Sequence, residues 1–156
     1  MNGDVPGSAH FDMAVSDERG MACGRISART FDCEEKIPIA LLRDLIKRIP
    51  ADPKWPLVLL DDIRVDEKHR GRGIGTNALL NFLRDARDRG FQMALLRVGH
   101  FDATPEGWEK AFCLTAWYQR AGFRPLLEGG MKQAREDVLW ALKNIEWCWF
   151  WRPCTG

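Results

Sequence analysis

Residues 57–83 read LVLLDDIRVDEKHRGRGIGTNALLNFL, and this stretch decides the fold class. The segment Leu57–Val65 is a dense apolar run that is too short for a comfortable helix, so we predict a central β-strand there. From Thr76 onward, apolar residues recur every three or four positions until Gly90, which predicts a helix with a glycine at its end. A glycine turn, residues 70–75, joins the two elements.

The chain continues with a second strand and a second helix. Met93–Val98 is a short buried run, and a right-handed crossover would place it parallel to the first strand. Thr104-Pro105 is typical of a helix start, and Gly122 predicts the end of that helix. Phe123 then begins another strand. The order strand, helix, strand predicts a βαβ unit.

The residues ahead of position 57 predict a hairpin and one helix. Phe11–Val15 and Met21–Thr30 have strand character and flank Asp17-Glu18-Arg19-Gly20, which has the composition of a hairpin turn. Apolar residues then recur at helical spacing over residues 41–49, and Pro50 stops that run. The first ten residues are expected to be loosely ordered.

The C-terminal segment is apolar and rich in tryptophan. Val138–Ile145 and Trp147–Trp151 are predicted to be strands because of this composition. A strand at Trp147–Trp151 would present apolar side chains on both faces, which favours core packing or a homodimer contact over a substrate-stacking surface. The predicted class is α/β (α+β), with a mixed sheet flanked by helices.

Composition limits the possible partners. The 156 residues are 46% apolar, enough for one domain over 1–156 with a sizeable core. A net charge of +1 gives no overall attraction to DNA or to an anionic membrane. No apolar run approaches the roughly 18 to 20 residues of a membrane span, and Met1–Ser8 lacks the pattern of a signal peptide. We therefore expect a cytoplasmic protein.

The cysteines and serines give little support to covalent or metal chemistry. The five cysteines never show the paired CxxC spacing of a zinc site, so we predict reduced thiols and no metal. Cys113 could be a nucleophile, although a buried structural cysteine is the more frequent case. No serine lies within GxSxG, which disfavours a serine hydrolase.

The glycine turn is suited to binding an anion. The first turn of a helix has backbone N–H groups without intrahelical acceptors and carries the positive end of the helix dipole. Gly71, Gly73 and Gly75 tolerate positive φ and keep side chains away, so successive amides can curl around phosphate oxygens. Lys68, Arg70 and Arg72 add local positive charge.

Two other phosphate-binding patterns do not fit this turn. The Walker pattern needs Lys-Ser or Lys-Thr after its last glycine, and Gly75 is followed by Thr76-Asn77. The dinucleotide pattern GxGxxG would need its third glycine at Thr76, and no acidic residue ends a second strand to bind a ribose. A nucleoside triphosphatase and a dinucleotide-dependent enzyme are therefore disfavoured.

The turn resembles the coenzyme A signature (Q/R)xxGx(G/A) of the GNAT N-acetyltransferase family, through Arg70-x-x-Gly73-x-Gly75. The segment Trp117–Phe123, WYQRAGF, is similar to the later YxxxGF segment of that family. Together the two motifs span Leu57–Phe123, somewhat under half of the chain. The resemblance implies a mixed, mostly antiparallel sheet flanked by helices, with acetyl-CoA as the cofactor.

The resemblance also implies roles for particular residues. The backbone of Ile63 and Val65 would pair with the pantetheine arm, and Tyr118 would be the acid that protonates the departing thiolate. The pyrophosphate would bind the backbone of Arg70, Gly71, Arg72, Gly73, Ile74, Gly75 and Thr76. The alternatives are that the glycines only form a tight turn and that Tyr118 is a core aromatic residue.

The general base stays open. Asp61 and Asp62 lie beside the expected cofactor groove, and the loop and helix start after the second strand contribute His100, Asp102, Glu106 and Glu109. Each of these residue types is more often a solvated or capping residue, and many family members deprotonate the amine through water.

The chain also departs from the family. Ala111 stands where the family often has an asparagine that contacts the cofactor. Residues 99–108 form a longer connection than usual, either a substrate lid or an extra turn. The helix predicted near residues 37–49 falls where the family more often has hairpin strands. The elements that shape the substrate site are therefore expected to be atypical.

The resemblance implies acetyl transfer to a primary amine by direct attack on the thioester. The amine would belong to a small molecule, a peptide or protein, or an aminoacyl-tRNA. The alternative is a non-catalytic sensor or interaction protein that binds acyl-CoA without chemistry.

Overall fold

The computed structural model describes residues 8–69, 71, 73–98 and 104–154. Two compact units divide these residues. The first contains 8–38, 51–94 and 153–154, and the second contains 39–50, 95–98 and 104–152. The single domain expected over residues 1–156 stays a prediction.

Seven strands and five α-helices are present in the described residues. The strands are β1 (Ser8–His10), β2 (Met13–Ser16), β3 (Ala22–Phe31), β4 (Leu57–Val65), β5 (Met93–Arg97), β6 (Arg124–Pro125) and β7 (Trp149–Pro153). The helices are α1 (Ala40–Lys47), α2 (Ile74–Asp88), α3 (Pro105–Arg120), α4 (Gly130–Glu136) and α5 (Val138–Lys143). The sheet is mixed and mostly antiparallel, as expected.

The sheet of the first unit has the order β1-β3-β4-β5, and β2 also pairs with β3. The pairings of β3 with β1, β2 and β4 are antiparallel. Gln92 N donates to the Pro56 carbonyl oxygen at 2.8 Å, so β4 and β5 begin side by side, as in a parallel pair. The predicted βαβ unit is therefore present.

Helix α2 covers the sheet of the first unit with one apolar face. Its buried residues recur at helical spacing and are Ala78, Leu79, Phe82, Leu83 and Ala86. The Phe82 ring packs edge-on against Phe11 at a centroid distance of 4.9 Å. Gly90, with φ at 93°, follows the helix, as predicted. The helix begins at Ile74, two residues ahead of the predicted start.

The strands of the second unit have the order β5-β7-β6, where β5 contributes its residues 95–97. Val98 N donates to the Cys148 carbonyl oxygen at 2.8 Å, so the end of β5 lies beside the start of β7. Thr104 caps α3 as predicted, because its Oγ1 accepts a hydrogen bond of 3.1 Å from Gly107 N. None of the helices in the described residues is long and apolar enough to span a membrane.

The strand predicted at Val138–Ile145 is wrong. This segment contains α5, and Ile145–Cys148 forms a 3₁₀ turn. The Asp137 carboxylate accepts a hydrogen bond of 3.1 Å from Trp140 N and so caps the helix. This local cap outweighs the strand preference of the apolar residues. Helix α4 was also not predicted.

The tryptophan-rich segment is only partly a strand. Trp147 lies in the 3₁₀ turn, and β7 begins at Trp149. All five side chains of residues 147–151 are buried within the single chain, which supports core packing. A homodimer contact through this segment stays a prediction.

Trp147→Ala should lower the free energy of unfolding by about 3 to 5 kcal/mol. The Trp147 side chain is 1% exposed, stacks on Trp108 at 5.8 Å and donates from Nε1 to the Ala141 carbonyl oxygen at 3.1 Å. Denaturant titration measures the loss. Leu139→Ala is the control because Leu139 is 71% exposed, and a loss as small as the control's would contradict the assignment of Trp147 to the core.

Candidate functional site

Strand β4 carries a bulge in its middle. Ser27 pairs with Asp62 and Ala28 pairs with Leu60, so Asp61 is an extra residue without a partner position on β3. The Asp61 carboxylate accepts two hydrogen bonds from Arg29, at 2.9 and 2.8 Å, and this interaction raises the pKa of Arg29. Residues 57–60, ahead of the bulge, are buried, whereas Ile63 and Val65, after it, are half-buried.

The second half of β4 contains Ile63 and Val65, whose side chains are both half-buried. In the antiparallel pairing, Ile63 lies opposite Ile26 and Val65 lies opposite Gly24. A side chain at Gly24 would clash with the carbonyl group of Arg64, so glycine is required there for the close approach of the two strands.

The glycine turn leads from β4 into α2. Gly71 and Gly73 adopt left-handed φ values of 81° and 76°. Among the described residues, apart from chain neighbours, no atom lies within 4 Å of a Cβ built on either glycine. Gly73 is the N-cap of α2, and its carbonyl oxygen accepts the first helical hydrogen bond from Asn77 N at 3.0 Å. Arg70 and Arg72, which were predicted to contribute to this site, lie outside the described residues.

This geometry suits an anion. Gly73 has no side chain that could accept hydrogen bonds from the first amides of α2, and the N–H groups of Ile74 and Gly75 have no intrahelical acceptor by the geometry of a helix start. Apart from chain neighbours, no described residue occupies the space above Gly71 and Gly73, which suits the approach of a bulky group to the backbone. Thr76 is exposed in the first turn of α2.

The β2–β3 hairpin turn, residues 17–20, contacts His69, the residue directly ahead of the glycine turn, through the side chain of Asp17. Asp17 Oδ2 lies 3.3 Å from His69 Nε2. The N–H of Met21 lowers the pKa of Asp17 against the opposing effect of burial, and the N–H of Arg19 and the His69 ring also lower it. Asp17 is therefore ionised at neutral pH. No motif or spacing in the sequence predicted this pair.

A cavity of about 440 Å³ lies between β2, the hairpin turn and the first turns of α2. Ser16, Asp17 and Glu18 line it from the hairpin, and Ile74 and Asn77 line it from the helix. It provides room for a ligand group beside the start of α2.

Tyr118 lies in the last turn of α3, in the second unit, and is half-buried. Its ring is 4.9 Å from the Trp117 ring and 6.0 Å from the Phe123 ring. Gly122 adopts a φ of 96°, which turns the chain back so that Phe123 N donates to the Tyr118 carbonyl oxygen at 3.1 Å. The WYQRAGF segment is thus a helix end that places Phe123 against the tyrosine.

The other residues considered from the sequence have varied surroundings. Asp62 is exposed and pairs with Arg64 at 3.2 Å, and Glu106 and Glu109 are exposed in α3. His100 and Asp102 lie outside the described residues, as do residues 99–103 of the predicted lid or extra turn. Ala111 is buried.

The cysteines are all free thiols, in line with the expectation of reduced cysteines. Cys113 is exposed on α3, so the buried position expected for a structural cysteine is wrong for this residue. Cys148 is buried, and desolvation raises its pKa to about 11. Cys148 is therefore a protonated core residue at neutral pH.

Solved structures share this fold. A GNAT family N-acetyltransferase (YhbS) from Escherichia coli, solved in complex with CoA, is 14% identical with a TM-score of 0.52, covering 92% of this chain and 58% of that chain. Tetrahymena GCN5 is 10% identical with a TM-score of 0.53, covering 94% and 69%. An acetyltransferase of the GNAT family from Staphylococcus aureus is 13% identical with a TM-score of 0.50, covering 94% and 68%.

The chain spans less than two thirds of the length of several solved structures that it matches, such as the 58% of the Escherichia coli protein. No curated protein matches the chain in sequence. The sequence profile of the Acetyltransferase (GNAT) family matches residues 20–123, which include both the glycine turn and the WYQRAGF segment. The chain therefore belongs to the GNAT acetyltransferase family.

Proposed function

We propose that the chain is an acetyl-CoA-dependent N-acetyltransferase that acetylates a primary amine. The observation that carries the proposal is the helix start at Gly73, where two left-handed glycines, Gly71 and Gly73, place no side chain of their own over the backbone. A diphosphate can bind at such a start, because backbone amides and the helix dipole attract it without a dedicated side chain. Membership of an acetyltransferase family supports the choice of ligand.

Acetyl-CoA would supply the activated acetyl thioester and the thiolate leaving group. In this proposal, the backbone of Ile63 and Val65 pairs with the pantetheine arm. The pyrophosphate binds the backbone of the turn and of the first turn of α2, through Arg70, Gly71, Arg72, Gly73, Ile74, Gly75 and Thr76. The lack of side chains at Gly71 and Gly73 supports a ligand of this bulk at the turn.

Tyr118 is the proposed general acid. The amine nitrogen forms a bond to the thioester carbonyl carbon, the carbon–sulfur bond breaks, and the phenol gives its proton to the thiolate. The resulting phenolate takes a proton back from solvent, which balances the proton that the amine loses. The ordinary pKa of a tyrosine, near 10, is close enough to that of a thiol for this transfer. The general base stays open: Asp61 and Asp62 are paired with arginines, Glu106 and Glu109 are exposed on α3, and water is a further acceptor for the proton that the amine loses.

A second candidate function is that of an acyl-CoA sensor without chemistry. The observation in its favour is Ala111, a buried alanine at the position where the family often has a cofactor-contacting asparagine. Acetyl-CoA would still bind such a protein, but no thiol would be released.

Incubation with acetyl-CoA and a panel of amines should release free thiol above the rate without amine. The panel contains small polyamines, amino acids, a peptide with a free N-terminus, and aminoacyl-tRNA. Thiol release is followed colorimetrically, and mass spectrometry identifies the acetylated product. Saturable acetyl-CoA binding without thiol release on any member of the panel would favour the sensor instead.

A further inference from the structure

We infer that His69 and Asp17 form a positioning pair that holds the glycine turn against the β2–β3 hairpin and so sets the affinity for acetyl-CoA. The inference rests on the proposed function, because it concerns the binding site of that ligand. Neither residue is proposed to touch the reacting atoms.

The pair joins two segments that are far apart in sequence. His69 Nε2 and Asp17 Oδ2 are 3.3 Å apart, and their side chains are 12% and 10% exposed. His69 is the last residue of the short 3₁₀ turn Glu67–His69, directly ahead of the glycine turn. Low exposure makes this hydrogen bond stronger than the same contact at the surface.

Asp17 is itself held firmly by the hairpin. Its Oδ1 accepts hydrogen bonds from Arg19 N at 2.9 Å and from Met21 N at 3.0 Å. The other carboxylate oxygen is thereby aimed at His69. The Asp17 carboxylate is thus fixed in position. Through its contact with His69, it restrains the residue that directly precedes the glycine turn.

The histidine depends on this anchor. Its Nδ1 is buried and has no hydrogen-bond partner among the described residues, so Asp17 is the only side chain described as bonding the ring. When Nε2 carries the hydrogen and donates to Asp17, Nδ1 carries none. Burying Nδ1 in this form costs less free energy than burying it as an N–H group without an acceptor. If Nε2 instead had to accept a hydrogen bond, the hydrogen would lie on Nδ1 and leave a buried donor without an acceptor.

Backbone contacts at the same place complete the junction. His69 N donates to the Asp66 carbonyl oxygen at 2.9 Å, and Asp66 N donates to the Cys23 carbonyl oxygen at 2.7 Å. The backbone therefore fixes the segment as far as His69. Beyond it, the left-handed Gly71 and Gly73 have wide conformational freedom, so the side-chain pair restricts where the turn begins.

Four variants test the pair by calorimetry with acetyl-CoA. His69→Phe keeps the ring but removes the hydrogen bond, and it should weaken binding about tenfold, the effect of roughly one charged hydrogen bond. Asp17→Asn keeps the acceptor for Arg19 N and Met21 N but loses the charge, and it should weaken binding equally. The double variant should bind no more weakly than either single variant.

His69→Gln is the rescue variant, because its side-chain amide places a donor where Nε2 lies. It should bind within about threefold of the unaltered protein. Asp12→Asn is the control on the same hairpin, since Asp12 pairs with Arg25 at 3.1 Å and has no described contact with the turn. In all variants that turn over, kcat at saturating acetyl-CoA should stay within about twofold, so that KM alone changes.

Amide hydrogen exchange gives a readout that needs no ligand. Exchange at Gly71 and Gly73 should accelerate in His69→Phe and Asp17→Asn, whereas exchange at Gly90 should not change. Unchanged acetyl-CoA affinity in His69→Phe would overturn the inference. If the unaltered protein bound no acetyl-CoA, the proposed function would fail, and the exchange result would then decide the positioning role by itself.

Discussion

Gly73→Glu is expected to lower the affinity for acetyl-CoA at least about 100-fold, equivalent to roughly 2.8 kcal/mol. The φ of 76° at Gly73 lies in the left-handed region, where a residue with a Cβ loses about 1 kcal/mol or more. The open space above the glycine would be filled by the new side chain. Its carboxylate would also repel the diphosphate at the helix start.

Gly90→Glu is a matched control for this substitution. Gly90 follows the other end of α2 and has a φ of 93°. In the described part of the chain, its chain neighbours aside, no atom lies within 4 Å of a Cβ built on it. Both variants therefore place a side chain at a left-handed φ and add the same charge, at opposite ends of α2. Calorimetry with acetyl-CoA, and with CoA as a second ligand, should show loss of binding for Gly73→Glu alone. Equal affinities of the two variants for acetyl-CoA would contradict the assignment of the binding site to the start of α2.

Tyr118→Phe should reduce turnover at least about tenfold and leave the dissociation constant of acetyl-CoA unchanged within about twofold. Phenylalanine keeps the ring between Trp117 and Phe123, so the end of α3 is preserved. Only the hydroxyl is lost, and with it the proton for the thiolate. Steady-state kinetics with the best amine of the panel measures the change.

Trp117→Phe is the control for the tyrosine. It alters the neighbouring aromatic ring of the same helix turn and leaves the Tyr118 hydroxyl in place. Its turnover should stay within about threefold of the unaltered protein. If Tyr118→Phe turned over as fast as the unaltered protein, the phenol would be a packing residue and the thiolate would take its proton from water.

Local sequence features were sufficient to predict the positions of most of the strands and helices. Strand β4 has the predicted bounds, because its apolar run is bounded by Pro56 and by polar residues. Gly90 and Gly122 mark the ends of α2 and α3 with the positive φ values that glycine readily adopts. Thr104 caps α3 as its residue type predicts.

Composition was misleading where a cap and an apolar run competed. The apolar residue types that follow Val138 occur in both strands and helices. Intrinsic propensity alone therefore does not tell which of the two forms here. The deciding contact was the hydrogen bond from Trp140 N to Asp137, three residues away in sequence. Attention to helix caps would have corrected this prediction.

By itself, the sequence determined the strand, the left-handed glycine turn and the helix that follow one another from Leu57 to Asp88, because these depend on neighbouring residues. Only the tertiary structure decided that Asp61 is a bulge paired with Arg29 and that Asp17 meets His69 across 52 residues. Periodicity and turn chemistry describe how a segment folds locally. They do not specify its distant partners, because that choice depends on the register and packing of the assembled sheet.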